Sequence, residues 1–130
     1  MSTEVKEGLF YSKQHEWVSL HGDIATVGIT AYAAESLGDI VFVELPDIGV
    51  EVSKDDAVAT VESVKAASDV YSPVSGEIVE VNMNLDQEPE KVNHEPYGEG
   101  WFFKVKVDPE NALTGLLDNS AYQDYINSLQ

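Results

Sequence analysis

The apolar positions change period along the chain, and the changes mark its elements. Trp17-Val-Ser-Leu20 and Ile24-Ala-Thr-Val-Gly-Ile29 flank His21-Gly22-Asp23. That arrangement predicts a hairpin with glycine in its turn. Thr30 can cap a short helix over residues 30–37, which Gly38 would stop. Ile40-Val-Phe-Val43 is an unbroken apolar run, so it predicts a strand buried on both faces. Residues 46–49 read as a turn, and residues 57–61 as a strand with β-branched residues at alternate positions. Tyr71-Ser-Pro-Val-Ser-Gly76 contains a tight turn and leads into the strand Ile78-Val-Glu-Val81. Further on, Trp101, Phe103, Val105 and Val107 alternate with Phe102, Lys104 and Lys106, which predicts one buried and one wetter face. Asp108-Pro109 has the form of an N-cap followed by proline at the first helical position, and Leu113, Leu116 and Leu117 fit one helical face. Ser120 with Gln123 forms a capping box, and Tyr122, Tyr125, Ile126 and Leu129 make a second stripe. Two C-terminal helices packed on the sheet are therefore expected, with the tyrosine stripe in the core.

One pattern repeats. Gly38-Asp-Ile-Val-Phe-Val43 returns as Gly76-Glu-Ile-Val-Glu-Val81, and each copy is followed by a turn-rich segment holding acids and one lysine. The echo predicts two similar half-sheets facing each other in a small sandwich. The chain must then cross between the halves, and Glu62-Ser-Val-Lys-Ala-Ala-Ser-Asp69 is the stretch expected to do so.

Length sharpens this reading. At 130 residues the chain predicts one domain, 1–130, with its core over about 22–107 and a helical segment over about 109–129. The fold class expected is mostly β. Apolar residues make up 43%, enough for a core at this size.

Charge and cysteine content then narrow the chemistry. The chain has 7 lysines, no arginine, 24 acids and no cysteine, for a net charge of −17. Such a field repels phosphate backbones, so neither nucleic acid nor an anionic membrane is an expected partner. Without arginine there is no bidentate clamp for phosphate or carboxylate. Without cysteine there is no disulfide, no thiolate nucleophile and no cysteine-ligated metal. The acids are spread evenly, so they belong to the folded surface, where they serve solubility or steer the chain towards basic docking surfaces. No apolar run approaches the roughly 20 residues of a membrane span. Met1-Ser-Thr-Glu-Val-Lys-Glu-Gly8 has the form of neither a secretory signal nor a presequence, so a cytoplasmic, bacterial-like protein is expected.

No catalytic apparatus emerges. His15, His21 and His94 are isolated and lack metal-ligand spacing, and no metal is expected. There is no Gly-x-Ser-x-Gly elbow and no phosphate-binding glycine loop. Lys65 stands apart. It lies between two strand-like runs in a segment of small residues, where a hairpin tip would project its amine into solvent. Val64 and Ala66 beside it are compact. Glu62 and Asp69, three before and four after, would keep the amine charged and hydrated. That disfavours a buried Schiff-base lysine. Two readings stay open from the residues: a solvated surface lysine, or an amine displayed for another protein to modify.

The segment Glu62-Ser-Val-Lys-Ala-Ala-Ser-Asp-Val-Tyr-Ser-Pro-Val-Ser-Gly76 resembles the lipoyl-attachment segment of the H proteins of the glycine cleavage system. So, in order, do Tyr11-Ser-Lys-Gln-His-Glu-Trp-Val18, Val27-Gly-Ile-Thr30, Leu37-Gly-Asp-Ile-Val-Phe-Val-Glu-Leu-Pro46 and Asn93-His-Glu-Pro-Tyr-Gly-Glu-Gly-Trp101. The resemblance implies a barrel-sandwich hybrid, a two-sheet fold of the lipoyl- and biotinyl-carrier type. It implies a non-catalytic carrier with lipoate amide-linked to Lys65 as lipoyllysine, and Glu62, Ser63, Val64, Ala66 and Asp69 as the attachment neighbours. It further implies that the arm takes the aminomethyl group of glycine from the P protein, glycine decarboxylase, to the T protein, an aminomethyltransferase. The L protein, dihydrolipoyl dehydrogenase, would reoxidise the arm, and a lipoate ligase or a lipoyl/octanoyl transferase would load it. Glu16 and Asp69 match acids lining the family's arm cleft. Gln14, Ser36 and Ala31 depart from the residues common in relatives. Three alternatives are a relay of lipoyl or octanoyl groups in protein lipoylation, a carrier domain of another lipoyl- or biotin-dependent complex, and an unmodified acidic binding module. Biotin carriers flank the lysine with methionine and 2-oxo acid lipoyl domains usually precede it with aspartate. Here the flanks are Val64 and Ala66.

Overall fold

The structure, a computed structural model, describes residues 5–129; Met1 to Glu4 of the N-terminal segment weighed above lie outside the described residues. Strands β1 (Phe10–Tyr11), β2 (Glu16–His21) and β3 (Ile24–Ile29) open the chain. Helix α1 (Ala31–Leu37) follows, then β4 (Ile40–Glu44), β5 (Glu51–Val52), β6 (Ala57–Ser63), β7 (Ala67–Tyr71) and β8 (Gly76–Val81). Two short helices, α2 (Asn84–Gln87) and α3 (Lys91–His94), precede β9 (Phe103–Lys106), and α4 (Asn119–Ser128) closes the described chain.

The strands form two antiparallel sheets, one of six in the order β1-β2-β3-β9-β8-β5 and one of three in the order β4-β6-β7. The mostly-β two-sheet fold expected from the sequence is therefore the one found. The first hairpin turns at Gly22 and Asp23, with His21 opposite Ile24. Thr30 caps α1 by accepting the Ala33 N–H, and Gly38 ends it at a φ of 84°. The core lies between the sheets. Val18, Val27, Ile78, Phe103 and Val105 come from the large sheet, and Ile40, Val43, Ala59, Val61 and Val70 from the small one. A second cluster of Tyr11, Trp17, Tyr122 and Ile126 seats α4.

The repeated hexapeptide does place its copies in opposite sheets, β4 in the small and β8 in the large. The crossing is not where the echo suggested. Residues 62–69 fold back within the small sheet, with Glu62 opposite Ala67. The chain passes from small to large sheet at residues 45–50, returns at residues 53–56, and passes again at residues 72–75, where Ser72 and Val74 are both buried. Gly76 begins β8 because a Cβ there would run into the Lys106 carbonyl oxygen of the neighbouring strand.

Four other expectations are corrected. The apolar run over β4 is not buried on both faces: Val41 is 54% and Phe42 42% exposed. β4 is an edge strand, and an irregularity between Ile40 and Phe42 turns two consecutive residues outward. Phe102, of the wetter parity, is fully buried, because it precedes β9 and bonds Val27 instead of continuing the pleat. Residues 109–115 form turns rather than a helix. Asp108 does cap, accepting from the Glu110 N–H and the Asn111 side chain, but Leu117 pairs with Tyr11 as a β-bridge and ends helical progress. Finally, α4 is capped by Asp118, which accepts the Ala121 N–H, and not by Ser120; of its stripe Leu129 is exposed.

Candidate functional site

Lys65 sits at the tip of the β6–β7 hairpin, with Val64 and Ala66 beside it. The turn is knitted by one side chain. The Ser63 hydroxyl accepts from the Lys65 N–H at 3.2 Å and the Ala66 N–H at 3.2 Å, while the Ser63 N–H donates to the Ala66 carbonyl at 2.8 Å. Serine suits this position because its hydroxyl can accept twice from a folded-back backbone. Outside the hairpin, the Val64 N–H donates to the Asp39 carbonyl at 3.1 Å. A Cβ built on Gly38 would stand 3.4 Å from Lys65 Cε, so the lysine stem passes over the glycine. The tip is therefore fixed in backbone and open in side chain. Val64 is 69% exposed, and Glu62, Lys65, Ala66 and Asp69 are exposed as well.

The flanking acids do not grip the amine. The ion pairs found among the described residues are Lys91–Glu95, Lys91–Glu99 and Lys104–Glu80, and none involves Lys65. Glu62 stands opposite Phe42 on one side and Ala67 on the other, and Asp69 stands opposite Thr60.

Glu16 opens β2 but is not solvated. It is 2% exposed. Its carboxylate accepts from the Ser12 hydroxyl at 2.6 Å and, at a longer 3.4 Å, from the Tyr71 N–H of β7. Burial pushes its pKa up to about 7; the Ser12 and Tyr71 bonds pull it down, and the charge of Asp55 adds to the rise. Asp69 lies two residues before Tyr71 on the same strand, exposed, so β7 is the element linking the two candidate acids. A concavity of about 280 Å³ lies beside Glu16's neighbours, lined by Ser12, Lys13, Gln14, Lys54, Asp55, Gly115 and Leu116. Gln14 thus faces it, whereas Ser36 is exposed on α1.

The histidines stay apart. His15 packs on Tyr32 with centroids 4.6 Å apart and bonds the Tyr122 hydroxyl at 2.7 Å; His21 meets Ser19; His94 is exposed. Among the described residues no group of three His, Asp or Glu could hold a metal. One part of the tip's support, the Gly38–Asp39 shelf, has no signature in spacing, because Asp39 acts through its backbone carbonyl and Gly38 through the absence of a side chain.

Comparison with known proteins supplies the family. A family model described as "Glycine cleavage H-protein" matches residues 9–129. The glycine cleavage system H protein of Thermotoga maritima is 57% identical over 115 residues, covering 88% of this chain and 93% of that one. The protein of the same name from Thermus thermophilus is 53% identical over 125 residues, covering 96% and 98%. The crystal structure of a glycine cleavage system H protein from Mycobacterium marinum superposes with a TM-score of 0.84 at 37% identity, covering 96% of this chain and 98% of that one.

Proposed function

The chain belongs to the glycine cleavage H-protein family, and on that footing we propose that Lys65 is the residue that carries its lipoyl arm, joined by an amide bond. The observation that carries this reading is the tip itself: an exposed primary amine, in none of the described ion pairs, on a backbone fixed by Ser63 and Asp39. Amide-linked lipoate supplies a dithiolane at the end of a long chain, which can take up and release a one-carbon aminomethyl unit. The chain's own part is presentation. Ser63 holds the turn, Gly38 leaves room for the lysine stem, and the compact Val64 and Ala66 leave the amine approachable from several sides. A stiff tip reduces the orientational search each partner enzyme must make, which is the physical use of a rigid mount under a flexible tether.

Glu16 and Asp69 receive the charge-complementing role in this reading. A cationic amine lodged beside Glu16 would favour its ionised form and draw its pKa back below about 7. The partners are the P, T and L proteins of the system and a lipoate ligase or lipoyl/octanoyl transferase, with the cytoplasm as the compartment. The polypeptide itself is non-catalytic. Lys65→Arg tests the assignment, since it keeps the charge but cannot form the amide. Glycine cleavage in a reconstituted system is expected to fall to background while the circular dichroism of the variant matches the parent. Retained activity would refute the carrier role of Lys65.

A further inference from the structure

Resting on the assignment of Lys65, we infer that Asn93 is a positioning residue for that lysine, holding the backbone shelf on which the hairpin tip is seated. Asn93 lies on α3. Its Nδ2 donates to the Gly38 carbonyl at 2.9 Å, and its Oδ1 accepts from the Ile40 N–H at 2.8 Å. One group can only accept and the other can only donate, so the orientation of the amide is fixed. The side chain stands in for a neighbouring strand where β4, an edge strand of the small sheet, has none. Asp39 sits between the two bonded residues and offers its carbonyl to Val64, the residue before Lys65. Gly38 lies under the Lys65 stem. Both of these contacts with the tip thus fall in the three-residue segment that Asn93 grips. The grip is rooted in the core, because Val92, its neighbour on α3, is fully buried.

The consequence is specific. Without the carboxamide, the Gly38–Asp39–Ile40 segment loses two fixed bonds while both sheets keep their ladders. The Asp39 carbonyl is then no longer aimed, and the tip spends less time in the seated conformation. An enzyme that must take the Lys65 amine meets a smaller competent fraction, and its apparent affinity falls by that fraction.

Two measurements on Asn93→Ala test this. The first is amide hydrogen exchange by NMR on the unmodified chain. Exchange at Val64 is expected to quicken at least about tenfold, because the open fraction that exchanges grows as the seated fraction falls towards a tenth, while Val18 and Val27 in the β2–β3 hairpin keep the parent's protection. The second is acylation by a lipoate ligase given ATP and lipoate, where the Lys65 amide forms as the acyl–phosphate bond of the lipoyl adenylate breaks, releasing AMP and a proton. The KM for the protein is expected to rise about tenfold with kcat changed less than about twofold. Asn93→Asp still accepts from Ile40 but cannot donate to Gly38, so it should fall between parent and alanine variant. Unchanged Val64 exchange and unchanged KM would overturn the inference, and so would quickened exchange throughout the sheets, which would make Asn93 a general stabiliser. If the parent chain is itself not acylated at Lys65, the earlier assignment fails, and the exchange data still decide the role of Asn93.

Discussion

Glu16 and His15 are neighbours in sequence, both withdrawn from solvent, and burial drives their titrations in opposite directions. Burial raises Glu16 from 4.5 to about 7. The folded state therefore binds more protons than the unfolded state between those values, and stability is lost as pH rises through that window. Burial lowers His15 below 6.5, so stability is lost as pH falls below that value. His15 Nδ1 and Thr30 Oγ1 both meet the Tyr122 hydroxyl, at 2.7 and 2.8 Å, and Thr30 Oγ1 also accepts the Ala33 N–H. Glu16→Gln removes the first slope. In urea titrations the variant is expected to gain on the parent steadily from pH 4.5 to 7, by up to about 3 kcal/mol, the free-energy equivalent of the shift. A difference that does not change with pH would contradict the burial account.

At the scale of elements, α4 shows which cap is used. Asp118→Ala removes the oxygen that accepts the Ala121 N–H and should cost about 1 kcal/mol of stability. Ser120→Ala at an exposed position should stay within about 0.5 kcal/mol. Reversed costs would restore the capping box. The same helix shows why some elements were legible and others not. The β2–β3 hairpin and α1 were readable because Gly22, Thr30 and Gly38 are local signals that decide local geometry. The exposure of Val41 and Phe42 was not readable, because it depends on β4 being an edge strand, a fact about sheet order. The absent helix at 109–115 was hidden for a similar reason, since Leu117 is claimed by Tyr11 from the other end of the chain. The echo told that two strands are alike, not where the chain changes sheets. Of the site, Lys65 and Ser63 were visible in one segment. The Gly38–Asp39 shelf and Asn93 act through backbone carbonyls and amides far away in sequence, which leave no side-chain pattern.

At the scale of the whole molecule, the missing residues and the fold agree. A chain with no cysteine can serve sulfur chemistry only with sulfur brought from outside, and the proposed place for it is the exposed Lys65 amine on the β6–β7 tip. With 24 acids against 7 lysines, the surface attracts basic faces on partners and repels its own copies. Several lysines are already engaged: Lys91 with Glu95 and Glu99, Lys104 with Glu80, and Lys54 with the Thr114 carbonyl. Lys65 belongs to neither arrangement. The most direct test of the central claim is the intact mass of the protein from a lipoylating host, followed by fragmentation to locate the added group. The account expects a species heavier by one lipoyl group, with the addition on Lys65. An addition on any other lysine, or none under ample lipoate, would contradict it.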